Sequence, residues 1–171
     1  AYDGVVEIWM ENEETIADAF SSPEYRRGAY ADEPNFANLK EVVRVVAEDH
    51  VLLREEPNNR PETMVKRLSF IKRKTGMSRD DFFSYWKDIH GPMALALPGL
   101  REYTQCHATE SMYERGEPPY DGVAALTFDT MGDLYFALDS PAFKDVAQPD
   151  GTTFVNSDSA FTIISEEHSI V

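Results

Sequence analysis

Cysteine is nearly missing from this chain: Cys106 is the only one in 171 residues. A single thiol makes no intrachain disulfide and no thiolate metal cluster, so a reducing, cytoplasmic setting is the expectation. The first residue is Ala1, not Met, so the expectation leaves a native leader segment open. Basic residues are also scarce, 16 Lys+Arg against 31 Asp+Glu, for a formal net charge of −15. A surface that acidic repels phosphate backbones and anionic lipid, which argues against nucleic-acid and membrane partners. No run approaches the ~20 apolar residues of a membrane-spanning helix. No Gly-rich phosphate loop and no Gly-x-Ser-x-Gly elbow occurs. The four histidines form no His-x-x-x-His or Glu-x-x-His pair. No metal and no cofactor is therefore expected.

What is present is enough for a packed core: 42% hydrophobic and 12% aromatic residues. At ~150 residues per domain, the length corresponds to about one domain. The chain is organised by an internal repeat. Residues 2–53 align with 120–171 without a gap, at an offset of 118. Both copies open with Tyr-Asp-Gly-Val. Both carry Ser-Pro followed by an aromatic (Ser22, Pro23, Tyr25; Ser140, Pro141, Phe143), Phe-x-Asn (Phe36, Asn38; Phe154, Asn156) and Glu-x-His (Glu48, His50; Glu166, His168). Thirteen of 52 positions are identical, where chance matching at ~6% would give about three. Residues 54–119 occur once.

The patterning predicts β-α-β, loop, β-α-β. Val65–Lys72 alternates as a strand. Ser78 caps a helix on which Phe82, Phe83, Trp86 and Ile89 recur, and Gly91-Pro92 interrupts it. Gly99–Thr109 alternates as a second strand. Glu110–Pro119 reads as a loop and Tyr120–Phe128 as a third strand. Met131–Leu138 forms a helix, Pro141 restarts helical structure, and Ala160–Ile164 begins the last strand. This is the split βαβ, ferredoxin-like pattern, an α+β fold whose first strand sits between the third and fourth. Residues 1–54 then read as the C-terminal half of a first unit, 55–64 as a linker and 65–171 as a complete unit. The expected arrangement packs the sheet of 65–171 against a second sheet holding strands near 2–11 and 42–53. A half unit lacks its first two strands. The expectation is therefore that about 55 further residues precede Ala1, or that another chain supplies them.

Residues 72–107 carry the chemistry. His90 stands at the end of a predicted helix, where imidazole can take and return a proton. Tyr103, Gln105 and His107 alternate, so they share one strand face, where phenol, amide and imidazole could orient a carbonyl. Cys106 reads as a structural thiol, and Arg101 lies on a different side from it or at a bulge, which parity alone leaves open. Tyr85 and Trp86 are helical aromatics, able to pack the core or wall a flat ligand. Phe70 is a further candidate contact. His50 and His168, equivalent by the repeat, each follow an acidic pair and are either strand-end residues or second acid/base groups.

Together these residues resemble the EthD family of dimeric α/β-barrel proteins. The shared features are Lys72-Arg-Lys with Gly76 and Ser78, then Phe82, Tyr85-Trp86 and His90-Gly91-Pro92. Leu97-Pro98-Gly99-Leu100, Tyr103, Gln105 and His107 follow. The resemblance implies a pocket for a small cyclic or aromatic compound, and relatives that are dehydratases, cyclases, isomerases or accessory proteins of degradation pathways. It implies two sheets packed into a barrel, here formed by a tandem repeat, with a homo-oligomer or a complementary chain as partner. The expected function is cofactor-independent lyase or isomerase chemistry on a small carbonyl compound. His90 would act as acid/base, His107, Gln105 and Tyr103 would assist, and Tyr85, Trp86, Phe70, His168 and His50 would contact substrate. A non-catalytic binding protein and a cofactor-free monooxygenase are the alternatives.

Overall fold

In the computed structural model, residues 2–54 and 63–168 are described. The expected 55–64 linker falls mostly outside them. The chain divides into two compact units, Ala1–Arg44 and Val45–Val171.

The first unit is built of short helices: α1 (Glu13–Ser21), α2 (Pro23–Arg27) and α3 (Ala29–Asp32), then a 3-10 turn, Glu33–Asn35. Asn12 Oδ1 accepts the Thr15 N–H at 2.9 Å, and Ser22 Oγ accepts the Tyr25 N–H at 3.1 Å. Each cap satisfies a donor that a helix start leaves unpaired. Pro23 takes a first-turn position, where its missing N–H costs nothing. The strand expected near 2–11 is absent. A strand must pair its backbone groups, and the described residues of this unit contain no strand to pair with.

The second unit holds one five-stranded antiparallel sheet. Its strands are β1 (Ala47–Leu53), β2 (Met64–Ile71), β3 (Leu100–Ala108), β4 (Gly122–Phe128) and β5 (Phe161–Glu167), in the order β1-β3-β4-β2-β5. Setting β1 aside, the first strand of the βαβ pattern lies between the third and fourth, as the pattern requires. The expected second sheet is not formed by the described residues. Instead β1 pairs with the outer edge of β3, from Ala47 opposite Ala108 to Leu53 opposite Tyr103. A free edge is a row of unpaired N–H and C=O groups, and β1 satisfies it. A register shift between Leu100 and Glu102 places a bulge beside Arg101. Arg101 is thus turned to an ion pair with Asp129.

The helices sort into two runs. The first is α4 (Arg79–Tyr85), a π-helical segment Trp86–His90, and α5 (Gly91–Ala94). Gly91-Pro92 therefore does not interrupt the helix; it widens one turn. Pro92 has no N–H to give to the fourth residue back and its ring crowds that carbonyl. The chain answers with a longer bond, Gly91 N–H to Trp86 C=O. The second run repeats the device: α7 (Met131–Asp139), a π-helical segment Ala142–Ala147, and α8 (Gln148–Phe154) with Pro149 in its first turn. Between them α6 (Glu110–Glu114) occupies part of the expected loop.

Among the described residues two apolar clusters stand out in the core. Val65, Leu100, Tyr103, Leu126, Phe128 and Leu134 pack at one end, and Ile71, Phe82, Trp86 and Phe154 at the other. The Asp-Gly of the repeated Tyr-Asp-Gly-Val has a clear structural reason in its second copy. Asp121 is wholly buried; it accepts the Arg73 N–H at 2.8 Å and the Tyr113 hydroxyl at 2.6 Å, and pairs with the Arg73 guanidinium. A Cβ on Gly122 would stand 2.5 Å from the Cys106 carbonyl and 2.7 Å from the Trp86 ring. Only glycine lets the indole reach the sheet there.

Candidate active site

The sequence motif His90-Gly91-Pro92 becomes a wide turn held at both ends. At its start the Trp86 carbonyl accepts Gln105 Nε2–H at 2.9 Å, from β3 below. At its end His90 Nδ1 lies 2.8 Å from Asp150 Oδ2, on α8. A Cβ on Gly91 would meet Leu52 Cδ2 at 2.4 Å and Gln105 Nε2 at 3.2 Å. Its absence is what brings the turn down onto β1 and β3.

Asp150 carries two donors. Oδ2 accepts from His90 Nδ1–H, and Oδ1 accepts the Tyr85 hydroxyl at 2.7 Å. That fixes the His90 tautomer: with Nδ1 protonated, the neutral ring keeps its lone pair on Nε2. The His90 and Asp150 side chains are 16% and 13% exposed, so the pair is shielded but reachable. The Phe154 ring flanks His90 at 4.9 Å. His90 is not a helix-terminal residue, since the helix runs on through α5.

Tyr103, Gln105 and His107 do share one face of β3, and they bond to one another. Gln105 Nε2 also donates to the Tyr103 hydroxyl oxygen at 2.8 Å. His107 Nε2–H donates to Gln105 Oε1 at 3.1 Å, because both amide N–H groups are already committed. All three residues are buried. Burial pushes the Tyr103 phenol up to about 12, so it stays protonated. Burial, then His50, then Lys87 hold His107 down at about 3, so it stays neutral. Three rings pack on His107: His50 at 4.2 Å, Phe83 at 4.5 Å and Trp86 at 4.7 Å between centroids. The row is closed, every Gln105 amide atom being used within the protein.

The remaining candidates separate. His50 stands opposite Gln105 in the ladder and joins the His107 cluster. Trp86 is buried and holds the turn, and Tyr85 holds Asp150. Phe70 lies opposite Val123, which lies opposite Cys106, so it shares Cys106's face of the sheet and not Gln105's. There it stacks on Phe161 at 4.5 Å. His168 is exposed just beyond β5. Sequence reasoning missed Asp150 and Lys87. The signal for Asp150 was present: Asp32 matches it in the repeat. Among the described residues no three His, Cys, Asp or Glu side chains gather as a metal would need, and no helix is long and apolar enough to cross a membrane.

The strand order and the two helical runs define an α+β protein of ferredoxin-like topology. The sequence model of the EthD domain matches residues 1–40 and 74–158, more than half of the chain, and the chain belongs to the EthD domain family. An ethyl tert-butyl ether D (EthD) family protein from Bacillus halodurans is 20% identical, with a TM-score of 0.52 over 61% of this chain and 99% of that one. That likeness is one of fold. A dimeric protein of unknown function and ferredoxin-like fold from Bacteroides fragilis is 15% identical, with a TM-score of 0.47 over 61% and 96% of the two chains. A candidate monooxygenase from Lactobacillus acidophilus is 12% identical, with a TM-score of 0.48 over 91% and 64%. No curated protein matches the chain.

Proposed function

We propose that this chain is a cofactor-independent enzyme of lyase, isomerase or cyclase type, acting on a small cyclic or aromatic carbonyl compound. One observation carries the reading: His90 Nδ1 is bonded to Asp150 at 2.8 Å, so Nε2 is the nitrogen left to take a proton. Nε2 removes a proton from the carbon beside the substrate carbonyl. The Asp150 carboxylate stabilises the imidazolium that results, and Tyr85 keeps that carboxylate in line. The imidazolium then returns the proton to a departing hydroxyl, giving elimination, or to another carbon, giving isomerisation. Tyr85, half-buried and bonded to Asp150, is the aromatic beside the pair that suits a flat substrate. In this reading Tyr103, Gln105 and His107 hold Trp86 and the wide turn, and act on the substrate only through that wall.

The test works whatever the product is. Cyclic ketones and keto acids are incubated with the protein in D2O, and loss of the α-proton signal is followed by NMR. Wild type is expected to accelerate exchange of at least one compound, and His90→Gln to lose about 10²–10⁴-fold of that rate. Binding without exchange across the panel would favour a second reading, a non-catalytic binding or accessory protein. The closed β3 row supports that second reading, because its donors are used internally.

The proposal extends to assembly. Residues 1–54 are the C-terminal half of one unit and 65–171 a complete second, and a further copy or a complementary chain supplies the missing half. The ungapped repeat supports this, as does the family match to 1–40, which corresponds by the repeat to 119–158. Native mass spectrometry checks it: a mass of one 171-residue chain alone counts against it. The scarcity of cysteine supports a cytoplasmic setting.

A further inference from the structure

Arg67 takes no part in the proton-transfer reading. It stands on β2 opposite Leu126 of β4, which stands opposite Tyr103 of β3, so it lies on the face of the sheet that the helices cover. Its ladder partner on the other side is Ile164 of β5. The Phe143 ring, from the second helical run, lies 5.9 Å from its Cζ. Lys66, Lys72, Arg73, Arg79 and Arg101 are likewise drawn in from the surface, and each pairs with a carboxylate. Arg67 is the exception: among the described residues it has neither an ion pair nor a hydrogen bond.

A guanidinium stays charged, and taking it from water without a counter-charge costs free energy. Burial lowers its pKa, and the opposing influence is the Tyr103 phenol rather than a carboxylate. Tyr103 is two strands inward, which places the guanidinium over the middle of the sheet and not beyond β5. There the helical layer is incomplete. β4 is the central strand, and every residue of it is buried except Ala124. Ala124 lies opposite Gln105 on one side and Ser69 on the other, so it faces the helices. A residue at the centre of a sheet keeps accessible surface only where its cover has an opening. Ala124 packs against both apolar clusters, so the opening lies where they meet. Arg67 is its diagonal neighbour in the ladder, about 7–8 Å away and within reach of a long side chain. Phe154, in the second cluster, is the ring beside His90.

We propose that Arg67 anchors the carboxylate of a small organic acid whose apolar body lies in the opening above Ala124. The fork of a guanidinium matches the two oxygens of one carboxylate, and such paired, charge-assisted bonds fix the plane of the ligand. Leu126, Phe143 and Ala124 surround the fork with apolar surface, which favours an organic acid over an inorganic anion. Binding supplies the counter-charge that the fold withholds. The proposal deepens the His90 reading and rests on it in one respect: the compound acted on there then bears a carboxylate as well as a carbonyl.

The experiment is a calorimetric titration of the purified chain with benzoate, with benzamide as the neutral isostere and inorganic phosphate as an anion without an apolar body. Benzoate is expected to bind saturably and at least tenfold tighter than either. Arg67→Met keeps the apolar stem and removes the charge. It is expected to raise the benzoate Kd at least tenfold, and to melt at or above the wild-type temperature without ligand, because an unpaired charge is gone. Ala124→Leu fills the opening and keeps the charge, and is expected to raise the Kd about tenfold. Arg115→Gln, which removes an exposed cation, is expected to change nothing. The proposal is overturned if benzoate does not saturate, if benzamide or phosphate binds as tightly, or if Arg67→Met or Ala124→Leu binds like wild type. An Arg67→Met protein that melts well below wild type marks the guanidinium as structural and overturns it too. His90→Gln is expected to keep benzoate binding. Binding without proton exchange counts against the His90 reading alone, and exchange without benzoate binding counts against the Arg67 site alone.

Discussion

Two polar groups grip the π-helical segment Trp86–His90, one at each end, and they differ in what they leave open. The row Tyr103–Gln105–His107 is buried and spends the whole of the Gln105 amide internally, on Trp86, Tyr103 and His107. The pair His90–Asp150 is partly exposed and leaves one imidazole nitrogen unbonded among the described residues. A closed buried network is worth most as a scaffold, because breaking it orphans several groups in a low dielectric. A shielded pair with one free atom is worth most as a reagent. Both kinds of site are made of the same residue types, and what separates them is how completely each is satisfied.

Removing the scaffold should have the largest effect. Trp86→Ala is expected to cost about 3–5 kcal/mol of stability, and Gln105→Leu about 1–3 kcal/mol for each group it orphans; chemical denaturation measures both. A Gln105→Leu protein as stable as wild type would show that the row is not structural. His90→Gln inverts the pattern. It should lose about 10²–10⁴-fold in proton exchange, and unfold within about 1 kcal/mol of wild type. If it unfolds instead, the two groups are of one kind.

The pH response sharpens the contrast further. His107 has its folded-state pKa lowered from 6.5 to about 3, so between those values the unfolded chain binds more protons. Stability is then fully present above about 6.5 and falls as the pH drops toward 3. By about pH 5 the loss amounts to about 2 kcal/mol. Melting curves of wild type and His107→Phe from about pH 7 to 5 isolate the contribution, since the variant should lack it. The smallest effect belongs to Asp150→Asn, which keeps the size of the side chain but removes its charge. A drop of about tenfold in exchange rate, with a changed pH profile and little change in stability, would mark Asp150 as a positioning residue.

Much of this is legible in the sequence. Alternation puts Tyr103, Gln105 and His107 on one face, and the strand order follows from the βαβ pattern. Pro92 is legible as a disturbance, but not as a π-turn, because how the helix absorbs a missing N–H depends on what packs around the turn. Here the Trp86 carbonyl takes both the Gly91 N–H and the Gln105 amide. Phe70 looks like a neighbour of the row; pairing through Val123 to Cys106 puts it on the other face. Asp150 is hidden because nothing local marks one carboxylate among 31 acidic residues, although its match to Asp32 in the repeat is visible.

By itself the sequence determined the repeat, the α+β pattern, the EthD resemblance and the residue types that could carry a proton. These depend on local periodicity and on identity between copies, which a linear chain records directly. Only the tertiary structure decided that β1 would close the edge of β3, that His90 would meet Asp150 across 60 residues, and that Lys87 would meet His50 across 37. Such meetings depend on which strand edge is left unpaired and on how closely a helix can approach a sheet. At Gly91 and Gly122 that approach is set by the absence of a single carbon atom.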